Sequence, residues 1–139
     1  LDYDSRPLST DVPESLYEEW KFKKDRHNIE ELRIYFINIS EHLSLMLVNA
    51  EMTQAYGKSL KKLDNFILPT GYANGMLGYI VTKKQLENGG YESENSIYYF
   101  SMKGKLHPKM EEQIKKRFKQ LKEDDDGTSK KRNNRQITI

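Results

Sequence analysis

Along the chain, apolar residues recur with helical or strand-like periods between polar and glycine-rich breaks. Residues 1–11 carry no such period and read as a flexible leader. Asp11, Pro13 and Glu14 then supply a side-chain cap, a first-turn proline and an acid at the positive end of a helix dipole. A helix over about residues 13–24 is predicted, with Leu16, Tyr17 and Trp20 as its apolar side and Lys21, Lys23 and Lys24 in its last turn. The strongest period comes next, as Ile29, Leu32, Phe36, Ile39, Leu43, Met46 and Ala50 recur at alternating steps of three and four. Asn28 and Glu31 precede it at capping-box spacing. Ile34, Ile37, Leu45, Leu47 and Val48 fall off that seam, so the predicted helix is apolar all round and must be covered on several sides. It reads as a central core helix or a dimer seam.

From Glu51 to Ile67 a second helical period places Met52, Tyr56, Leu60, Leu63 and Ile67 on one face, with Lys58, Lys61 and Lys62 off it. Gly57 lies inside, where glycine costs about 1 kcal/mol relative to alanine, and predicts a break into two short helices. Pro69 ends the second of them, and residues 69–78, with Gly71, Gly75 and Gly78, read as a connector. Two runs rich in β-branched and aromatic residues, 79–83 and 96–101, predict a hairpin with a long polar tip around Asn88, Gly89 and Gly90. Pro108 opens a last helix to about residue 123, with Met110, Ile114, Phe118 and Leu121 as its stripe. Residues 124–139 are charged without an apolar pattern and read as a disordered tail. The expected class is α+β and mainly helical: a leader (1–11), one domain (12–123) and a tail (124–139).

Composition narrows the chemistry. A length of 139 residues fits one domain that buries roughly two-thirds of the surface its unfolded chain exposes. The absence of cysteine excludes disulfides, thiolate nucleophiles and Cys-based metal sites, and fits a reducing, cytoplasmic setting. No apolar run approaches the roughly 18 residues of a membrane span, so no membrane partner is expected. The net charge of +2 hides an uneven distribution. Residues 1–40 hold 6 basic and 9 acidic side chains, whereas residues 83–122 hold 10 basic and 5 acidic ones. An anionic partner would meet that later stretch first.

Signatures of catalysis are missing. His27, His42 and His107 lack metal-ligand spacing, and Gly71, Gly75 and Gly78 follow a helix without the Lys-Ser/Thr of a phosphate loop. The acid pairs Glu18/Glu19, Glu30/Glu31 and Glu111/Glu112 lie near first turns of predicted helices, where the dipole accounts for them. The expectation is a protein that is not an enzyme, with no catalytic residue, cofactor or metal.

The order of predicted elements and the run from Ser96 to Gly104, with Tyr99-Phe100-Ser101 and Lys103-Gly104, resemble the winged helix-turn-helix proteins of the MarR and PadR type. The resemblance implies that residues 51–56 form the first helix of the motif, Gly57 its turn and residues 58–67 the recognition helix. Lys58, Ser59, Lys61 and Lys62 would then face double-stranded DNA, with Lys83, Lys84, Lys103 and Lys105 on the wing. The family dimerises through terminal helices, which implies a homodimer through the stretches from Ile29 to Val48 and from Pro108 to Leu121. The implied function is that of a dimeric transcriptional regulator or DNA-processing accessory factor. The alternative is a protein–protein interaction module that binds no nucleic acid, because a fold does not fix a function.

Overall fold

The computed structural model describes residues 1–25, 31–127 and 135–139. Its centre is a strand pair in the stretch expected to be the long helix. β1 (Arg33–Ser40) and β2 (Leu43–Val48) pair antiparallel, in a register that sets Ile34 opposite Val48, Phe36 opposite Met46 and Ile37 opposite Leu45. Burial alternates along both strands: Ile34, Phe36, Met46 and Val48 are sealed while Tyr35, Ile37, Leu45 and Leu47 are half-buried. Isoleucine, tyrosine, phenylalanine and valine suit a pleated surface, and pairing satisfies their backbone across the ladder. The capping signal at Asn28 lies outside the described residues. At the far end, the Asn49 side chain accepts from the Arg33 N–H (2.7 Å) and donates to the Glu31 carbonyl (3.0 Å).

After β3 (Glu51–Met52) comes α2 (Gln54–Leu63), which runs unbroken through Gly57. The expected break is absent because that side of the helix packs on the next strand: a Cβ at Gly57 would lie 3.8 Å from Pro69 Cγ. β4 (Ile67–Thr70) then joins β2 in parallel, so β2, α2 and β4 form a crossover unit. Pro69 sits inside β4 rather than ending a helix, which an edge strand tolerates.

β5 (Tyr79–Ile80) pairs in parallel with β3 as a small second sheet. The expected hairpin is not formed. α3 (Lys83–Asn88) begins at Thr82, whose side chain accepts from the Gln85 N–H in a capping box. Residues 96–101, expected as a strand, begin instead with the one-turn helix α4 (Ser96–Tyr99). There Ser96, Ile97 and Tyr98 are buried in succession, a pattern that a period of two cannot give.

α1 (Glu14–Lys23) forms as expected, but without a side-chain cap bond. It docks on α4 through Trp20, whose indole N–H donates to the Met102 carbonyl (2.7 Å) and whose ring meets that of Tyr98 edge-on at 5.2 Å. The leader also has partners. The Asp4 N–H donates to the Lys105 carbonyl (2.8 Å), the His107 N–H donates to the Asp2 carbonyl (2.9 Å), and the Tyr98 hydroxyl donates to the Ser9 carbonyl.

α5 (Met110–Gly127) continues beyond its expected end, and β6 (Arg135–Thr138) pairs antiparallel with β1, so the chain's last described residues belong to the sheet. The four-stranded order is β4-β2-β1-β6. α5 contacts β1, β6 and α2, while α2 contacts β4. The stripe Met110, Ile114, Phe118 and Leu121 is buried within this chain, which removes it as a dimer seam. The class is α+β, but "mainly helical" needs correction, since 38% of the described residues are helix and 21% strand.

Candidate functional site

The lysines singled out by sequence fall into separate groups. Lys58, Lys61 and Lys62 are exposed on α2, around a shallow cleft of about 440 Å³ floored by Gly57 and Pro69. Lys61 Nζ donates to the Asn65 carbonyl (2.9 Å), and the Ser59 hydroxyl donates to the Ala55 carbonyl (3.0 Å), which turns it back along its own helix. Lys83 and Lys84 open α3. A bond from the Thr53 hydroxyl to Gln85 Oε1 (3.0 Å) ties that helix to the start of α2. The Lys83 N–H donates to Glu111 on α5 (2.7 Å), and Lys83, Lys115, Lys116 and Lys119 share a second cleft of about 590 Å³ with Glu111 and Glu112. Lys105 is half-buried in an ion pair with Glu94 (2.7 Å), beside the leader, and Lys103 is exposed in the same segment. No helix-turn-helix or wing frames these lysines, because α2 is one helix and the hairpin is absent.

The two helices over the sheet are pinned to each other by charge. Lys122 of α5 lies 3.4 Å from Asp64 at the end of α2 and 2.6 Å from Asp126. The Phe66 N–H and then Lys122 hold the Asp64 carboxyl below the usual aspartate range, against the opposing effect of partial burial. Burial pulls the Lys122 ammonium down, yet Asp126 and Asp64 outweigh it and raise the group above its ordinary value.

A phenol–carboxylate corner missed by sequence reasoning lies beyond the carboxyl ends of β2 and β4. The Tyr72 hydroxyl donates to the Glu51 carboxylate. A hydrogen bond to the same carboxylate, together with desolvation, pushes the Tyr79 phenol up to about 12. Tyr72 and Asn74 both hold φ of 59° in the connecting loop, a left-handed conformation that asparagine adopts readily and that is costly for tyrosine. The histidines form no such group. His42 meets Phe66 at a tilt, with ring centroids 4.9 Å apart, His107 Nδ1 accepts from the Lys109 N–H (3.2 Å), and His27 lies outside the described residues. Among the described residues no group of three or more His, Asp or Glu side chains is arranged to hold a metal ion. No described helix is long and apolar enough to cross a membrane.

The largest unexplained feature is the second face of the main sheet. Asn38 reaches Asp125 of α5 (3.0 Å) and Pro69 faces α2, so both covering helices lie on the side of Phe36, Met46 and Ile67. Successive strand residues point to opposite faces, so the register aligns Leu68, Leu45 and Ile37 in one row of the other face. Thr70, Leu47, Tyr35 and Gln136 form the next row. Leu68 is 48% exposed, Ile39 45% and Leu43 38%, with Phe66 (47%) just before β4. Among the described residues, the only charged one at the strand positions of this face is Arg33 at one corner, and it lies 3.7 Å from Glu31. An antiparallel sheet with a wet face ordinarily carries polar residues there. The sequence does hold the signal, in the off-seam residues Ile37, Leu45 and Leu47 that demanded cover.

Comparison with family models, with curated proteins and with solved structures gives no match to any of them.

Proposed function

We propose that this chain is a protein-interaction module whose docking surface is the open face of the four-stranded sheet. One observation carries the reading: apolar residues occupy both faces of β1 and β2, with Ile34, Phe36, Met46 and Val48 on one and Tyr35, Ile37, Leu45 and Leu47 on the other, while among the described residues the helices cover only the first. An apolar patch of that kind costs solubility unless a second surface removes it from water. The test separates exposure from foldedness. Leu45→Lys is expected to keep the far-ultraviolet circular dichroism of the native chain and to lose most of its binding of the dye anilinonaphthalene sulfonate. A native chain that binds no dye, together with a Leu45→Lys variant that does not fold, would show the face to be internal and would end this reading.

Binding of double-stranded DNA is the second reading. It is favoured by the exposure of Lys58, Lys61 and Lys62 on one helix and of Lys83 and Lys84 on its neighbour. Each phosphate-contacting lysine removed should lower the slope of log affinity against log salt by about one unit. An unchanged slope for Lys61→Ala and Lys62→Ala would count against it.

A further inference from the structure

The open face has the properties required for packing against a copy of itself, and we infer that the partner is a second copy of this chain, seated sheet on sheet about a two-fold axis. The inference rests on the docking reading above and names its occupant. An isologous interface brings each patch against the same patch, so any charge near its centre would meet its like. Here the central rows carry none: Leu68, Leu45 and Ile37 in one, Thr70, Leu47, Tyr35 and Gln136 in the next. Arg33 stands at the corner beside Glu31. With the axis running along β2, Leu45 opposes the partner's Leu45 and Leu68 opposes the partner's Ile37. Thr70 then opposes the partner's Tyr35, and Gln136 on the outer strand falls at the rim, where water reaches its polar atoms. The right-handed twist of each sheet favours a crossing of about −30° at roughly 10 Å, as in the sheets of a sandwich, which a tilt of the axis from β2 by about half that angle supplies.

The area agrees with a modest dimer. Four strands spaced about 4.8 Å apart, each with about five residues at ~3.4 Å, project to roughly 300 Å². Side-chain relief raises this to about 500 Å² of accessible surface per copy, or ~1,000 Å² for the pair, the lower bound for a specific interface. An interface at that bound suits a reversible dimer rather than an obligate one.

Sedimentation equilibrium on the full chain, from ~1 to ~300 μM, tests this directly. The expected result is a reversible monomer–dimer equilibrium that Leu45→Lys weakens at least a hundredfold without changing the circular dichroism. Leu68→Lys, at the exposed edge strand, gives the same readout where Leu45→Lys does not fold. Lys116→Glu, on the helical side, should leave the equilibrium unchanged. A native chain that stays monomeric at the highest concentration overturns the inference, as does a dimer that survives both leucine substitutions in folded protein. Dye binding then separates the two claims. A monomer whose dye signal is lost in Leu45→Lys keeps the docking surface and loses only its self-partner, whereas a monomer whose dye signal ignores Leu45→Lys loses both.

Discussion

The two faces of the main sheet are built from the same strands and the same kinds of residue, yet they live in different solvents. Phe36 and Met46 lie beneath α2 and α5 with no exposed surface, while their neighbours Ile37 and Leu45 point away from those helices and are only half-buried. Side-chain chemistry therefore does not decide which face is the core. The helices decide it, because the crossover α2 and the amphipathic α5 each have one stripe to bury and both spend it on the same side.

The largest way to break this contrast is a charge. Met46→Lys buries an unpaired ammonium where no water reaches and should cost about 4 kcal/mol or more, whereas Leu45→Lys one residue away should cost about 1 kcal/mol or less. Urea denaturation of the two variants reads the difference, and equal losses would mean that both faces are sealed. Truncation sharpens it on a smaller scale. Phe36→Ala should cost about 3 to 5 kcal/mol through the cavity it leaves, against about 1 kcal/mol for Ile37→Ala, whose site is open to relaxation and water. Tyr56→Phe probes the helical cover itself. The Tyr56 hydroxyl donates to the Val81 carbonyl (3.2 Å) in a buried site, so its removal should cost about 1 kcal/mol in thermal unfolding.

The smallest effect concerns pH. Asp64 titrates below its unfolded value, so its contribution is complete above that value and is lost as pH falls through the lowered one. Asp64→Asn should accordingly be less stable than the native chain near neutrality. The gap should close in acid, in denaturation curves followed from pH 7 to pH 2. A gap that stays constant would mean that the carboxylate charge contributes nothing to holding α2 against α5.

What sequence could reveal follows from the same contrast. α5 was legible because it has one apolar side and a charged remainder, so the period of 3.6 stands out, and α1 because Glu14 opens it and Lys21 and Lys23 close it, as the helix dipole favours. β1 and β2 were not, because apolar residues on both faces erase the alternation that marks a strand. The steps of three and four from Leu32 to Ala50 then imitated a helix. Residues 96–99 failed differently: aromatic and β-branched residues favoured a strand, but buried contacts of Ile97 and Tyr98, the latter with Trp20, favoured a single helical turn. β6 could not be foreseen, since four residues gain their strand character only from the free edge of β1. Of the candidate surface, the need for cover at Ile37, Leu45 and Leu47 was readable. Its location on a sheet was not.

The chain has a single tryptophan, and Trp20 is buried with its ring against Tyr98 and its N–H on Met102. Indole emission therefore monitors the latch between α1 and α4, whereas the far-ultraviolet signal is dominated by the helices as a whole, α5 the longest of them. A red shift that precedes the ellipticity change on heating would identify that latch as the first part of the molecule to let go, and would time its release without any label.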